Sequence, residues 1–87
     1  MNRYVLDGNN MTTRKAAHDE IRREMDLPDY YGNNLNALWD IISCDEAEVV
    51  LKNPAPMLNS LGTYGCDLLK RFYDAVRVNP DFSFYIE

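Results

Sequence analysis

Apolar positions along the chain alternate or recur so as to mark three short strands separated by helices. Arg3 to Leu6, β-branched and aromatic, reads as a strand closed by the turn signal Asp7-Gly8-Asn9-Asn10. A helix follows. Thr12 or Thr13 can cap it, Ala17, Ile21 and Met25 recur at i, i+4 and i+8 on one side, and Arg14, Asp19, Arg22 and Arg23 fall largely outside. It ends before Leu27-Pro28, because the residue preceding a proline is pushed out of helical geometry. The next helix is capped by Asn33 or Asn34 and runs to about Ser43. At about 100° per residue, Leu35, Leu38 and Ile42 cluster on one side while Asn36, Asp40 and Ser43 gather on another, with Trp39 at the border.

Ala47 to Leu51 is a second strand, stopped by Lys52-Asn53-Pro54. Pro54 or Pro56 suits the first turn of a third helix, in which Met57, Leu58 and Leu61 form a short buried stripe and Gly62 marks the end. A fourth helix, from about Tyr64 to Val78, places Leu68 or Leu69, Phe72, Ala75 and Val76 at core spacing, with Lys70, Arg71, Asp74 and Arg77 exposed, and Asn79-Pro80 breaks it. Phe82 to Ile86 alternates like a strand. Strands spaced by helices favour parallel pairing through right-handed crossovers, with helices covering the sheet. The expected fold class is therefore α/β: a small three-stranded parallel sheet packed with about four helices, as one domain over residues 1–87.

Composition narrows the function classes. A hydrophobic share of 46% with 26% charged residues belongs to an ordinary globular chain and sets aside disordered and fibrous classes. The formal charge of −5 argues against direct nucleic-acid binding, which rests on Lys and Arg displacing counterions, and favours basic partners. The acids are unevenly spread: no Lys or Arg falls between Arg23 and Lys52, whereas Glu24, Asp26, Asp29, Asp40, Asp45, Glu46 and Glu48 all do. That segment predicts a negative field. The N-terminal MNRYVLDGNN lacks the apolar core of a secretion signal and no run approaches transmembrane length, so a cytoplasmic protein with no membrane partner is expected. Cys44 and Cys66 are not closely spaced and no His/Cys set has zinc-like spacing, so free reduced thiols are expected, with neither metal nor cofactor.

Catalytic signatures are absent: there is no phosphate-cradling glycine loop, nucleophile elbow or metalloprotease helix. His18, the single histidine, has no recognisable partner and reads as a helix-surface or boundary residue; no catalytic residue is assigned. What stands out is LPDYYGNNLNALWD, Leu27 to Asp40, which crowds two tyrosines, a glycine, three asparagines and the only tryptophan around a helix start. Aromatics flanking polar anchors are how a protein interface concentrates its binding energy.

That stretch resembles the signature of the barstar family, intracellular bacterial inhibitors of secreted ribonucleases. The pattern Leu-Pro-x-Tyr-Tyr-Gly-x-Asn-Leu-x-Ala-Leu-Trp-Asp holds from Leu27 through Asp40, and the order of elements suits the family over nearly the whole chain. Looser support comes from the opening strand, His18, Phe72 and the terminal strand. The resemblance implies a protein that occludes the active site of a small, basic, secreted bacterial ribonuclease and is a monomer when free. In that reading Asp40 takes the phosphate position, Tyr30 stacks near the enzyme's active-site histidine, Gly32, Asn34 and Leu35 fill the contact, and Trp39 supports Asp40. Asn36 and Ser43 share the outer face of the same helix, and Asp74 occupies a position that usually holds Glu. Two departures stand out: Asn36 replaces a second aspartate, and Cys44-Asp45 replaces Gly-Trp. Two other readings remain beside this one. The first, prompted by Asn36, is a binding module of the same fold that caps a different basic protein such as another toxin nuclease; the second is a small enzyme pairing Asp40 with His18.

Overall fold

The computed structural model describes residues 2–87. Three strands, β1 (Asn2–Asp7), β2 (Ala47–Lys52) and β3 (Phe82–Ile86), pair in parallel in the order β1-β2-β3. Two helices bridge each pair, α1 (Arg14–Glu24) and α2 (Leu35–Ile42) before β2, α3 (Pro54–Leu61) and α4 (Thr63–Val78) before β3. The expected α/β architecture is thus the observed one. The Asp7-Gly8 turn is wound into one 3-10 turn, Gly8–Asn10, because the Asp7 carboxylate accepts the Asn9 amide at 2.9 Å. Gly8 is required there: a Cβ would fall 1.9 Å from the Asn53 carbonyl oxygen.

Strand alternation and register decide which side of the sheet is core. Tyr4, Val49 and Phe84 align across the three strands, as do Leu6, Leu51 and Ile86, while Ala47 pairs with Phe82. Except for the edge residue Ile86, these join the buried cluster or pack against it, and all four helices contribute to it through Ile21, Leu38, Met57 and Phe72. Phe72 stacks on Phe84 at 4.7 Å between ring centroids. The opposite face carries Val5, Val50, Tyr85 and the exposed Arg3–Glu48 pair, none of them in that cluster, although Val50, on the central strand, is only 3% exposed.

Helix ends follow the local chemistry. Thr13 caps α1 through a 3.0 Å bond from Ala16 N–H to its hydroxyl, and Asn34 caps α2 through a 2.7 Å bond from Ala37 N–H. Gly62 joins α3 to α4 at φ 57°, a left-handed value that glycine adopts without a Cβ clash. The α4 stripe is Leu68, Phe72 and Ala75; Val76 is not in it but 39% exposed, since the residue after Ala75 lies 100° further round the helix.

His18 corrects the surface reading. It is fully buried on the core side of α1, with Nδ1 2.8 Å from the Tyr31 hydroxyl and Nε2 2.6 Å from that of Tyr64. One ring nitrogen donates and the other accepts, so the neutral imidazole is satisfied on both sides. Burial holds its pKa below the ordinary 6.5, with Asp19 opposing. Burial likewise pushes both tyrosine phenols above their usual range. Glu20, two residues further along α1, is also buried; it accepts the Asp7 N–H at 3.0 Å and pairs with Arg23, tying α1 to the end of β1.

Candidate functional site: a loop and helix face

The loop from Pro28 to Asn34 is held from below and open above. Tyr31 points down to His18, so its neighbour Tyr30 points out and is 88% exposed, the most exposed of the large hydrophobic side chains among the described residues. Asn33 sits at φ 53°, a left-handed value that asparagine tolerates better than most residues, and it delivers the chain to the Asn34 cap. Asn34 also donates to the Gly32 carbonyl at 3.1 Å, so both ends of its amide stabilise the loop. The far end of α2 is fixed by a residue read from sequence only as a helix breaker: buried Asn79 donates to the carbonyls of Ile42 (3.1 Å) and Asp45 (2.8 Å). The Ile42 carbonyl would otherwise be an orphan at the helix end, and the Asp45 carbonyl fixes the chain that leaves it.

Held this way, α2 presents three different sides. Leu38 and Ile42 enter the core. On one flank Asp40 is exposed and shares a cleft of about 360 Å³ with Tyr30, Asp45, Leu27 and Ile41. On the other, half-buried Trp39 lines a cleft towards α4 with Asp74 and Arg77, and Asp74 is 3.6 Å from the Arg77 guanidinium. Leu35 meets Asp74 in a further cavity, and Asn34, Leu35 and Asn36 line a groove at the start of α2. Ser43, half-buried, is the C-cap.

The structure therefore unites Tyr30 with Asp40, and Trp39 with Asp74, on opposite flanks of one helix. It does not bring His18 to Asp40, since the imidazole is buried under Tyr31 and the carboxylate faces outward. Asp45, read from the sequence as one acid of the negative segment and as a departure from the family pattern, lies in the Tyr30–Asp40 cleft.

The negative field is smaller than the acid count suggested. Asp29 pairs with Arg22 at 3.4 Å, Glu24 with Arg23 at 3.8 Å and Glu48 with Arg3 at 3.0 Å. Asp26, Asp40 and Asp45 have no ion pair among the described residues, and two of these three lie in the Tyr30 cleft. Asp40 stands in the last turn of α2, where the helix dipole disfavours a negative charge by about 0.3–1 kcal/mol, with no basic residue there to offset it. Both cysteines are free and exposed, and the Cys44 thiol donates to the Asp40 carbonyl at 3.2 Å. Among the described residues no helix is long and apolar enough to cross a membrane.

Comparison with known proteins extends the match beyond the loop. The family model described as "Barstar (barnase inhibitor)" covers residues 1–87. A Bacillus subtilis (strain 168) protein described as "Putative ribonuclease inhibitor YrdF" is 34% identical over 91 aligned positions that span the full length of both chains. With strands, helices and the Tyr-Tyr-Gly loop in one order from end to end, this chain belongs to the barstar family.

Proposed function

We propose that this chain is a cytoplasmic, bacterial inhibitor of a small, basic, secreted ribonuclease, an antitoxin that is monomeric until it binds. Its acidic contact face occludes the enzyme's active site. The observation that carries the reading is the pairing, in one exposed cleft, of a tyrosine left 88% in water with a carboxylate that has no ion pair among the described residues. Neither feature stabilises the free fold. Both suit a cleft built to bind a phosphodiester, whose Arg, Lys and His side chains would hold the Asp40 carboxylate where a phosphate normally sits.

The supporting geometry is rigid. Asp40 is on a helix whose two ends are held by Asn34 and Asn79, and Tyr30 is on a loop anchored through Tyr31 to His18. A contact group held this firmly loses little entropy on binding. Tyr30 would stack on the enzyme near its catalytic histidine, with Gly32, Asn34, Leu35, Asn36 and Ser43 completing the contact and Trp39 with Asp74 at its far edge. No residue of the inhibitor performs chemistry.

Calorimetry and an RNA-cleavage assay against barnase and a panel of small basic bacterial ribonucleases test this. Inhibition at equal stoichiometry is expected, and Asp40→Ala should weaken it by about thirtyfold or more, the loss typical of a central interface residue. Unchanged inhibition by that variant would remove Asp40 from the mechanism. The exposed Asn36 favours a second reading, a cap for a different basic nuclease. Capture of a basic protein without ribonuclease activity, and no effect on any ribonuclease, would select it.

A further inference from the structure

The chain has nine basic side chains. Six of them, Arg3, Lys15, Arg22, Arg23, Lys52 and Arg77, have a carboxylate partner. The remaining three, Arg14, Lys70 and Arg71, have none among the described residues, and all three line two adjoining grooves beside the first turn of α2. The larger, about 410 Å³, is formed by Arg14, Arg71, Tyr64 and residues 33–36, and no carboxylate lines it. Lys70 lies in the smaller, on the far side of Arg71 and Leu35, together with Asp67 and Asp74.

In a protein of net charge −5 these cations are conspicuous for what they do not do. Arg71 is four residues after Asp67 and three before Asp74, spacings at which helix ion pairs form, yet it pairs with neither. Arg14 is fixed rather than loose. Its guanidinium lies 4.3 Å from the centre of the Tyr64 ring, and the Tyr64 hydroxyl is tied to buried His18. Two guanidinium groups beside the amides of Asn33 and Asn36 are planar donors of the kind that grip a carboxylate. Asn36 fits this arrangement as well. An aspartate at that position would supply the missing anion from within the chain, whereas asparagine leaves both arginines available.

We infer that this groove receives an aspartate or glutamate side chain of the bound ribonuclease, making the contact face two-signed: the Tyr30–Asp40–Asp45 cleft meets the enzyme's cations, and the Arg14–Arg71 groove meets an acid on its rim. The inference rests on the inhibitor reading above. A protein carboxylate is favoured over a phosphodiester strand because the acids around the neighbouring cleft repel a polyanion, while a partner already seated on Asp40 delivers one carboxylate at high effective concentration. The consequence is selectivity. A ribonuclease with a uniformly basic rim is rejected by repulsion.

The experiment turns on a sign. Calorimetry with the ribonuclease that the chain inhibits, drawn from barnase and the panel above, compares the native protein with Arg71→Glu, Arg14→Glu, Asn36→Asp and the remote control Lys52→Glu, each checked for native circular dichroism. Loss of about tenfold in affinity for the three groove variants, with the control unchanged, is expected. Equal or tighter binding by Arg71→Glu and Asn36→Asp, the result a uniformly basic enzyme surface would produce, overturns the inference. A second arm is independent of any enzyme. A blocked peptide with a single glutamate, acetyl-Gly-Glu-Gly-amide at millimolar concentration, should shift the backbone amide resonances of residues 33–36 and 64 in the native chain but not in Arg71→Glu; absence of those shifts overturns the groove. If the peptide binds there but no ribonuclease is inhibited, the groove stands and the inhibitor reading fails.

Discussion

Asp40 and Glu20 show how two carboxylates on two helices take opposite roles through burial alone. Glu20 is 2% exposed and has its oxygens occupied by Asp7 N–H, the Asn10 amide and Arg23. Glu20→Ala strands those donors and should cost about 1–3 kcal/mol in chemical denaturation, the penalty for unsatisfied buried polar groups. Asp40 is exposed, without an ion pair among the described residues, and set against its own helix dipole. Asp40→Ala should leave the denaturation midpoint unchanged or raise stability by up to about 1 kcal/mol, in contrast to the large loss of inhibition expected from the proposed function. That pair of outcomes would mark Asp40 as a residue kept for the partner rather than for the fold. The sequence exposed Asp40 through its place on the outer helix face; Glu20 gave no such signal, because its donors come from a strand end and a turn that only the fold brings to α1.

At the scale of elements, the strands and helices were readable because their apolar periods and their punctuation by Thr, Asn, Gly and Pro are local. The exceptions are instructive. Val76 matched a helical stripe by spacing, yet the sheet meets α4 along Leu68, Phe72 and Ala75, and a neighbour 100° away is left in water. His18 looked like a boundary residue because its two hydroxyl partners lie 13 and 46 residues downstream. Its burial joins α1, the loop from Pro28 to Asn34 and α4, and it makes that junction sensitive to acid. A histidine whose folded pKa is depressed leaves stability intact above its unfolded value of 6.5 and removes it as pH falls from there through the folded value, since the unfolded chain then binds more protons. Denaturation midpoints should therefore drop between pH 7.5 and about pH 5. His18→Gln, which cannot titrate, should flatten that slope while lowering stability overall. Asp7 and Asp19 act in a separate window: backbone donation from Asn9 and the Lys15 ammonium hold their carboxyls below 3.8, so their contribution fades only as pH falls beneath that value.

Across the whole molecule, the run of acids between Arg23 and Lys52 is partly cancelled by arginines on α1 and β1, and the uncompensated charge gathers at the Tyr30 cleft. Association with a basic ribonuclease should therefore be steered. Its rate constant is expected to fall about tenfold or more between low salt and 0.5 M, where the Debye length shrinks to a few ångström, with little change in dissociation. Stopped-flow mixing across that range checks it, and a flat salt profile would mean the face carries no effective field. By itself the sequence determined the parallel α/β order, the helix caps and the loop–helix signature that place the chain in its family, since those depend on neighbours within a few positions. Only the tertiary structure decided which acids stay unpaired, that Asn79 holds the end of α2, that His18 anchors the loop beneath Tyr30, and that Arg14 and Arg71 share a groove. Each of those facts joins residues far apart along the chain, and no local pattern encodes a distance that packing alone creates.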